Sequence, residues 1–120
     1  MFSVLFPGQG SQSVGMARDL YNNFDYVKDL FEEADDALNF SIKKIIFDGP
    51  PNILNETENT QPAIFLVSFA IFNVIKNESS FDITKANFFA GHSLGEYSAL
   101  ACSNVINFRE TIKLLKIRGN

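Results

Sequence analysis

The stretch "FFAGHSLGEYSALA", residues 88–101, constrains the fold more than any other part of the sequence. A short apolar run ends at Gly91, Ser93 sits between two glycines, and a helix-forming segment begins at Leu94. A serine at the tip of such a strand–turn–helix is exposed on a strained backbone, and side chains two residues before and after it would collide. Gly91 and Gly95 remove those collisions. The pattern predicts a nucleophile elbow in which the Leu94 N–H, at a helix N-terminus, suits a developing oxyanion.

His92 is the only histidine in the chain. Adjacent side chains in a tight turn diverge, so His92 is badly placed to take the proton of Ser93. We expect it to position or line the pocket, and we expect the general base to come from elsewhere. Cys102 has no histidine partner and is predicted to pack as a small core residue.

The N-terminus supplies a second candidate element of a site. Phe2 to Phe6 is predicted as a strand that Pro7 and Gly8 end, leading into the loop "PGQGSQS". In hydrolase-like sites the second oxyanion donor comes from a loop after another strand, and Gln9 offers an amide there. The alternative is an ordinary glycine-rich turn with solvated glutamines. A phosphate-binding loop is disfavoured because its lysine is absent.

The short apolar run Phe88–Ala90 is predicted as a second strand. Hydrophobic periodicity predicts mainly helices between the two strands and after the second one. Leu94 to Ala101 follows the elbow. The other predicted helices are an amphipathic one over Phe24–Leu38, a short one over Ser41–Phe47, a nearly all-apolar one capped at Asn59 or Thr60 with Pro62 in its first turn, and one from Asn107 to Gly119. Asn77 to Asn87 reads as a loop. Strands alternating with helices imply a parallel α/β sheet, but two strands make an incomplete one.

Arg118 stands beside the buried face predicted for the last helix. At about 100° per residue, Phe108, Ile112 and Leu115 share one side, and Arg118 lies roughly 60° from Leu115. A guanidinium beside a buried face favours a carboxylate partner, which it binds through two parallel hydrogen bonds. The alternative is that Arg118 only provides a positive charge at the C-terminus of the helix, where it interacts favourably with the helix dipole.

Charge and composition exclude several classes of protein. The 120 residues carry a net charge of −4 without a basic cluster, so a nucleic-acid footprint is absent. A lone cysteine cannot form an internal disulfide and has no companion at metal-ligand spacing, which favours a reducing cytoplasm and no metal. The N-terminus lacks the basic region of a signal peptide, and the apolar segment Ala63–Ile75 is too short to span a membrane.

Four motifs together resemble the malonyl-CoA:acyl carrier protein transacylases of type II fatty acid synthesis, and more broadly the acyltransferase domains of polyketide synthases. They are "FPGQGSQSVGM", "TQPA", "AGHSLGEYSAL" and "IRGN". The resemblance implies that malonyl-CoA and acyl carrier protein are the partners, that coenzyme A enters as a thioester substrate, and that no cofactor is bound. It implies a malonyl ester on Ser93, an oxyanion held by Gln9 and Leu94, a malonate carboxylate held by Arg118, and Gln61 near the site.

The chain departs from that family in length. Family members are much longer, and their catalytic histidine lies beyond a ferredoxin-like subdomain that these residues do not contain. We therefore expect residues 1–120 to be the N-terminal part of the large acyltransferase α/β subdomain, a partial α/β-hydrolase-like sheet with flanking helices. A truncated chain of this kind should transfer poorly and should self-associate through its uncovered apolar faces.

Two alternatives remain open at this point. A serine esterase of the α/β-hydrolase type shares the elbow, although it predicts neither the glycine-rich loop nor the arginine. An inactive acyltransferase that only binds acyl carrier protein is the other.

Overall fold

The computed structural model describes residues 2–80, 82–86, 88–91, 94–103 and 106–118. Strands β1 (Ser3–Phe6) and β2 (Phe88–Gly91) pair in parallel and form the sheet of the described residues. Their register sets Ser3 beside Phe88 and Phe6 beside Gly91. The carboxyl ends of both strands therefore meet at one edge, where the glycine-rich loop and the elbow begin. The predicted parallel pairing is confirmed.

Two predicted helices form where periodicity and capping favour them. The amphipathic helix runs from Asp25 to Leu38, and one apolar face of it is buried, with Val27 and Phe31 fully enclosed. The helix Ile42–Asp48 begins where the Ser41 hydroxyl accepts a hydrogen bond from the Lys44 N–H at 3.2 Å.

Two shorter helices were not predicted from the sequence. They are Arg18–Asn23 and Pro51–Leu54. In chain order the helices up to this point are therefore α1 (Arg18–Asn23), α2 (Asp25–Leu38), α3 (Ile42–Asp48) and α4 (Pro51–Leu54).

The central helix α5 (Thr57–Glu78) begins earlier than predicted. Asn59 and Thr60 do not cap it but lie inside its first turns, so Pro62 stands in the second turn. The reason is a tertiary contact: the Asn59 amide donates to the Ile53 carbonyl at 3.0 Å, and the Thr60 hydroxyl donates to the Leu54 carbonyl. These bonds satisfy the end of α4 and extend α5 by a turn.

The segment predicted as a loop after α5 is only partly irregular. Asn77 and Glu78 belong to α5, and Ile83–Lys85 form a 3-10 turn capped by Asp82. Helix α6 (Leu94–Cys102) follows the elbow as predicted. Helix α7 (Phe108–Arg118) starts where the Asn107 side chain accepts the Glu110 N–H at 3.1 Å, which confirms the predicted cap.

Helix α5 lies at the centre of the molecule and is buried on most sides. Its Phe65 ring stacks on Phe108 of α7 with centroids 5.4 Å apart, and its Phe69 ring packs on Phe108 at a tilt with centroids 4.8 Å apart. A helix that is apolar nearly all round is expected to pack on several sides, and α5 does so. Within the described ranges, no helix combines the length and apolar character needed to cross a bilayer.

Candidate active site

The connection between β2 and α6 is short enough to be an elbow. The strand ends at Gly91 and the helix begins at Leu94. His92 and Ser93, the two residues between them, lie outside the described residues, so their predicted roles stay predictions. The side chain of Leu94 is buried, and it anchors the first turn of α6 in the core.

Glycine is required at both flanking positions because three backbone segments meet there. A Cβ built on Gly91 would lie 2.6 Å from the Cα of Gly95 and closer still to its carbonyl group. A Cβ on Gly95 would lie 3.2 Å from the carbonyl carbon of Phe6 and closer still to its oxygen. The start of α6 therefore packs directly on the carboxyl ends of both strands.

The loop after β1 is tied down by its glutamines. Gln9 Nε2 donates to the Thr57 hydroxyl at 3.3 Å, and Gln12 Nε2 donates to Asn55 Oδ1 at 3.0 Å. Gln12 also accepts the N–H of Gly10, whose φ of 110° suits glycine. Gln9 is exposed, but the loop differs from a turn with solvated glutamines, because both glutamine side chains donate hydrogen bonds to residues at or just before the start of α5.

Gln61 is buried in the second turn of α5, with 8% of its surface exposed. Its Oε1 finds no hydrogen-bond partner among the described residues. An unsatisfied buried acceptor costs about 1–3 kcal/mol, and such atoms in a native fold call for an explanation. A group bound nearby would supply one.

Arg118 occupies the last described position of α7 and is exposed. Phe108, Ile112 and Leu115 are buried together, as the helical wheel predicts. The Arg118 guanidinium lies over the Tyr97 ring, with Cζ 5.2 Å from the centroid. Helix α6 follows the elbow, so this contact brings the arginine to the helix that carries Leu94.

Thr57 and Tyr97 contact the candidate site residues Gln9 and Arg118 and were not predicted from the sequence. Thr57 holds Gln9 across 48 positions of sequence, and nothing local marks it. Tyr97 could have been noticed from its spacing, since it is the fourth residue after Ser93 and lies about one helical turn along α6.

Cys102 is buried at the end of α6, in the cluster that includes Phe6 and Phe72. Burial raises the pKa of Cys102 to about 12, with a small opposing effect from the charge of Lys76. A thiol with this pKa is protonated at neutral pH. The prediction that Cys102 packs as a core residue is confirmed.

Comparison with known protein families decides which fold this is. The profile of the acyl transferase domain matches residues 3–120. The chain belongs to the acyl transferase domain family. The resemblance drawn from the four motifs is thereby confirmed at the level of the family.

Two similar proteins share the name malonyl CoA-acyl carrier protein transacylase. A malonyl CoA-acyl carrier protein transacylase of Bacillus subtilis is 50% identical over 117 residues, covering 98% of this chain and 28% of the relative. The protein of the same name from Haemophilus influenzae is 46% identical over 118 residues, covering 98% of this chain and 37% of the relative. The chain thus spans about a third of the length of these relatives.

Solved acyl transferase structures share the fold. An acyl carrier protein S-malonyltransferase from Vibrio cholerae superposes with a TM-score of 0.91 at 45% identity, over 98% of this chain and 38% of that one. A malonyl-transacylase in complex with a type II polyketide synthase acyl-carrier protein gives a TM-score of 0.90 at 43% identity, over 98% and 37%. The predicted fold class, a partial α/β acyltransferase fold, is confirmed.

Proposed function

We propose that this chain carries the nucleophile, oxyanion and carboxylate-binding groups of an enzyme that moves a malonyl group from coenzyme A to the phosphopantetheine thiol of acyl carrier protein. The observation that carries the proposal is the close packing of Gly91, Gly95 and Phe6, which a strand–turn–helix needs to present Ser93. Membership of the acyl transferase domain family supports it. So do the names of the relatives and the solved complex of a similar malonyl-transacylase with an acyl-carrier protein.

In the first half-reaction, the Ser93 hydroxyl attacks the thioester carbonyl of malonyl-CoA and gives its proton to a base. The carbonyl oxygen becomes an oxyanion, held by the Leu94 N–H and by a donor of Gln9. Fixed donors of this kind are worth about 3–4 kcal/mol each. Collapse of the intermediate breaks the carbon–sulfur bond, and the departing coenzyme A thiolate takes the proton. Malonyl remains as an ester on Ser93.

In the second half-reaction, the phosphopantetheine thiol attacks that ester, and the proton returns to the Ser93 oxygen as it leaves. The base in both steps would come from outside these 120 residues. His92, the only histidine of the sequence, is adjacent to the nucleophile and would line the pocket instead. The unsatisfied Gln61 oxygen is available to a donor of the substrate.

Arg118 would bind the free carboxylate of malonate. A bidentate pair between a guanidinium and a carboxylate is geometrically specific. An acetyl group would leave this donor set unpaired, and a site built for a polar group discriminates strongly against an analogue that lacks it. The enzyme would therefore prefer malonyl to acetyl groups.

A chimera tests the proposal, because it supplies the part of a relative that this chain does not span. This chain would replace the matching 117 residues of the Bacillus subtilis relative. Acyl loading is then followed by intact mass after incubation with malonyl-CoA or acetyl-CoA, in parallel with the isolated chain. A simple aryl ester, added as a third substrate, detects esterase activity.

We expect one malonyl adduct on the chimera and none on its Ser93→Ala variant. Arg118→Ala should reduce malonyl loading by at least about tenfold more than acetyl loading. An adduct that survives Ser93→Ala would refute the nucleophile assignment. Equal losses for the two acyl groups would refute the carboxylate clamp, and hydrolysis of the aryl ester in preference to transfer would favour an esterase.

A further inference from the structure

We infer that Tyr97 is a positioning residue for Arg118, and that its ring sets how strongly the site prefers a carboxylate-bearing acyl group to a neutral one. The inference rests on the carboxylate clamp proposed above. It adds a residue that no sequence motif assigns to substrate choice.

The contact between the two side chains is asymmetric. Tyr97 is half-buried and packs against the main hydrophobic cluster, so its ring is fixed by the core. Arg118 is exposed, with its Cζ 5.2 Å from the ring centroid. Cations within about 6 Å of an aromatic face are attracted by the ring quadrupole. The Tyr97 ring, which the core holds in place, therefore restricts the position of the exposed guanidinium.

A ring face restrains an arginine in a way that suits carboxylate binding. An exposed arginine loses as much as about 2 kcal/mol of side-chain entropy when it is held in one geometry. Stacking uses the flat face of the guanidinium, whereas a bidentate pair uses the N–H groups in its plane.

The backbone that carries Arg118 is also held in place. Two residues earlier in α7, Lys116 Nζ lies 3.4 Å from Glu58 Oε2 and donates to Asn59 Oδ1 at 3.3 Å. Both partners belong to the first turn of α5. With the helix end anchored, the Tyr97 ring is a surface that restricts the direction of the Arg118 side chain.

The first test measures acyl selectivity in the chimera described above. Tyr97→Phe retains the ring, and Tyr97→Leu replaces it with an apolar side chain. We expect the ratio of kcat/KM for malonyl-CoA to that for acetyl-CoA to fall about two- to fivefold in Tyr97→Leu, through a higher KM for malonyl-CoA. The ratio should stay unchanged in Tyr97→Phe.

Tyr26→Leu is the matched control. Tyr26 is a half-buried tyrosine of α2 whose hydroxyl donates to Glu78 at 3.0 Å. Its loss perturbs packing at a comparable level without touching the Tyr97–Arg118 pair. We expect no change in the ratio.

The second test uses the unsubstituted chain. Nuclear Overhauser contacts between the Tyr97 ring protons and the Arg118 side chain are expected, together with an Arg118 Nε–H resonance shifted by the ring current. Absence of both would overturn the inference even if Tyr97→Leu failed to fold. An unchanged ratio in a folded Tyr97→Leu chimera would also overturn it.

The carboxylate clamp and the positioning role of Tyr97 can be refuted separately. If Arg118→Ala leaves the selectivity ratio unchanged, the proposed clamp is wrong. If Arg118→Ala lowers the ratio and Tyr97→Leu does not, the clamp stands and only the positioning role of Tyr97 is refuted.

Discussion

Replacing Gly95 with alanine tests the close packing on which the candidate site depends. The new methyl group would lie 3.2 Å from the carbonyl carbon of Phe6, closer to its oxygen, and 3.5 Å from the carbonyl oxygen of Pro7. These neighbours are backbone atoms and cannot rotate away. The start of α6 and the end of β1 must therefore separate.

The cost can be estimated from two opposing effects. Overpacking of this kind destabilises a fold by about 1–3 kcal/mol. Alanine in place of glycine in a helix returns up to about 1 kcal/mol. We expect a net loss of about 1–2 kcal/mol, and a melting temperature lower by roughly 4–8 °C for a domain of this size.

Acyl loading should suffer more than stability does. The Gln9 loop continues from β1, and the Leu94 N–H belongs to α6, so the separation moves the two proposed oxyanion donors apart. A misplacement of about 1 Å can reduce a rate about a hundredfold. Thermal unfolding followed by circular dichroism and malonyl loading of the chimera measure the two effects.

Ser98→Ala is the control in the same helix. Ser98 is fully buried, and its hydroxyl has no hydrogen-bond partner among the described residues. Removing that hydroxyl should leave stability unchanged or raise it by up to about 1 kcal/mol. If the Gly95→Ala variant has the melting temperature and the malonyl loading of the unsubstituted protein, close backbone packing does not require glycine at this position, and the prediction is refuted.

Three further predictions concern stability and association. Asn107→Ala removes the acceptor of the Glu110 N–H and should lower the free energy of unfolding by about 1 kcal/mol in urea titrations, and an unchanged midpoint would contradict the cap. Burial raises the pKa of Cys102 to about 12 in the folded state, so the unfolded thiol loses its proton first and stability should fall as pH rises above 9. Cys102→Ser should make that fall smaller in thermal melts. Leu5, 77% exposed beside an apolar groove of about 360 Å3 that Ile71 also lines, should promote self-association. Leu5→Lys should weaken it in sedimentation, whereas a chain monomeric at all concentrations would contradict this prediction.

Local signals in the sequence were sufficient wherever neighbours along the chain decide the structure. The amphipathic period of α2, the Asn107 cap of α7 and the glycine pair around the elbow all act within a few residues. Each of these was predicted, and each is present in the fold. The class of the fold followed from the same signals, because short apolar strands between helices imply parallel pairing.

Contacts between distant segments decided the rest. Helix α5 begins at Thr57 because side chains of its first turn bond to the end of α4, and no propensity encodes that docking. The bond from Gln9 to Thr57 and the placement of Arg118 over Tyr97 likewise join separate elements. The sequence by itself indicated candidate residues for the proposed chemistry and the helices beside them. Only the tertiary structure decided which side chains hold those residues in place, because such restraint depends on distances between helices that no local pattern records.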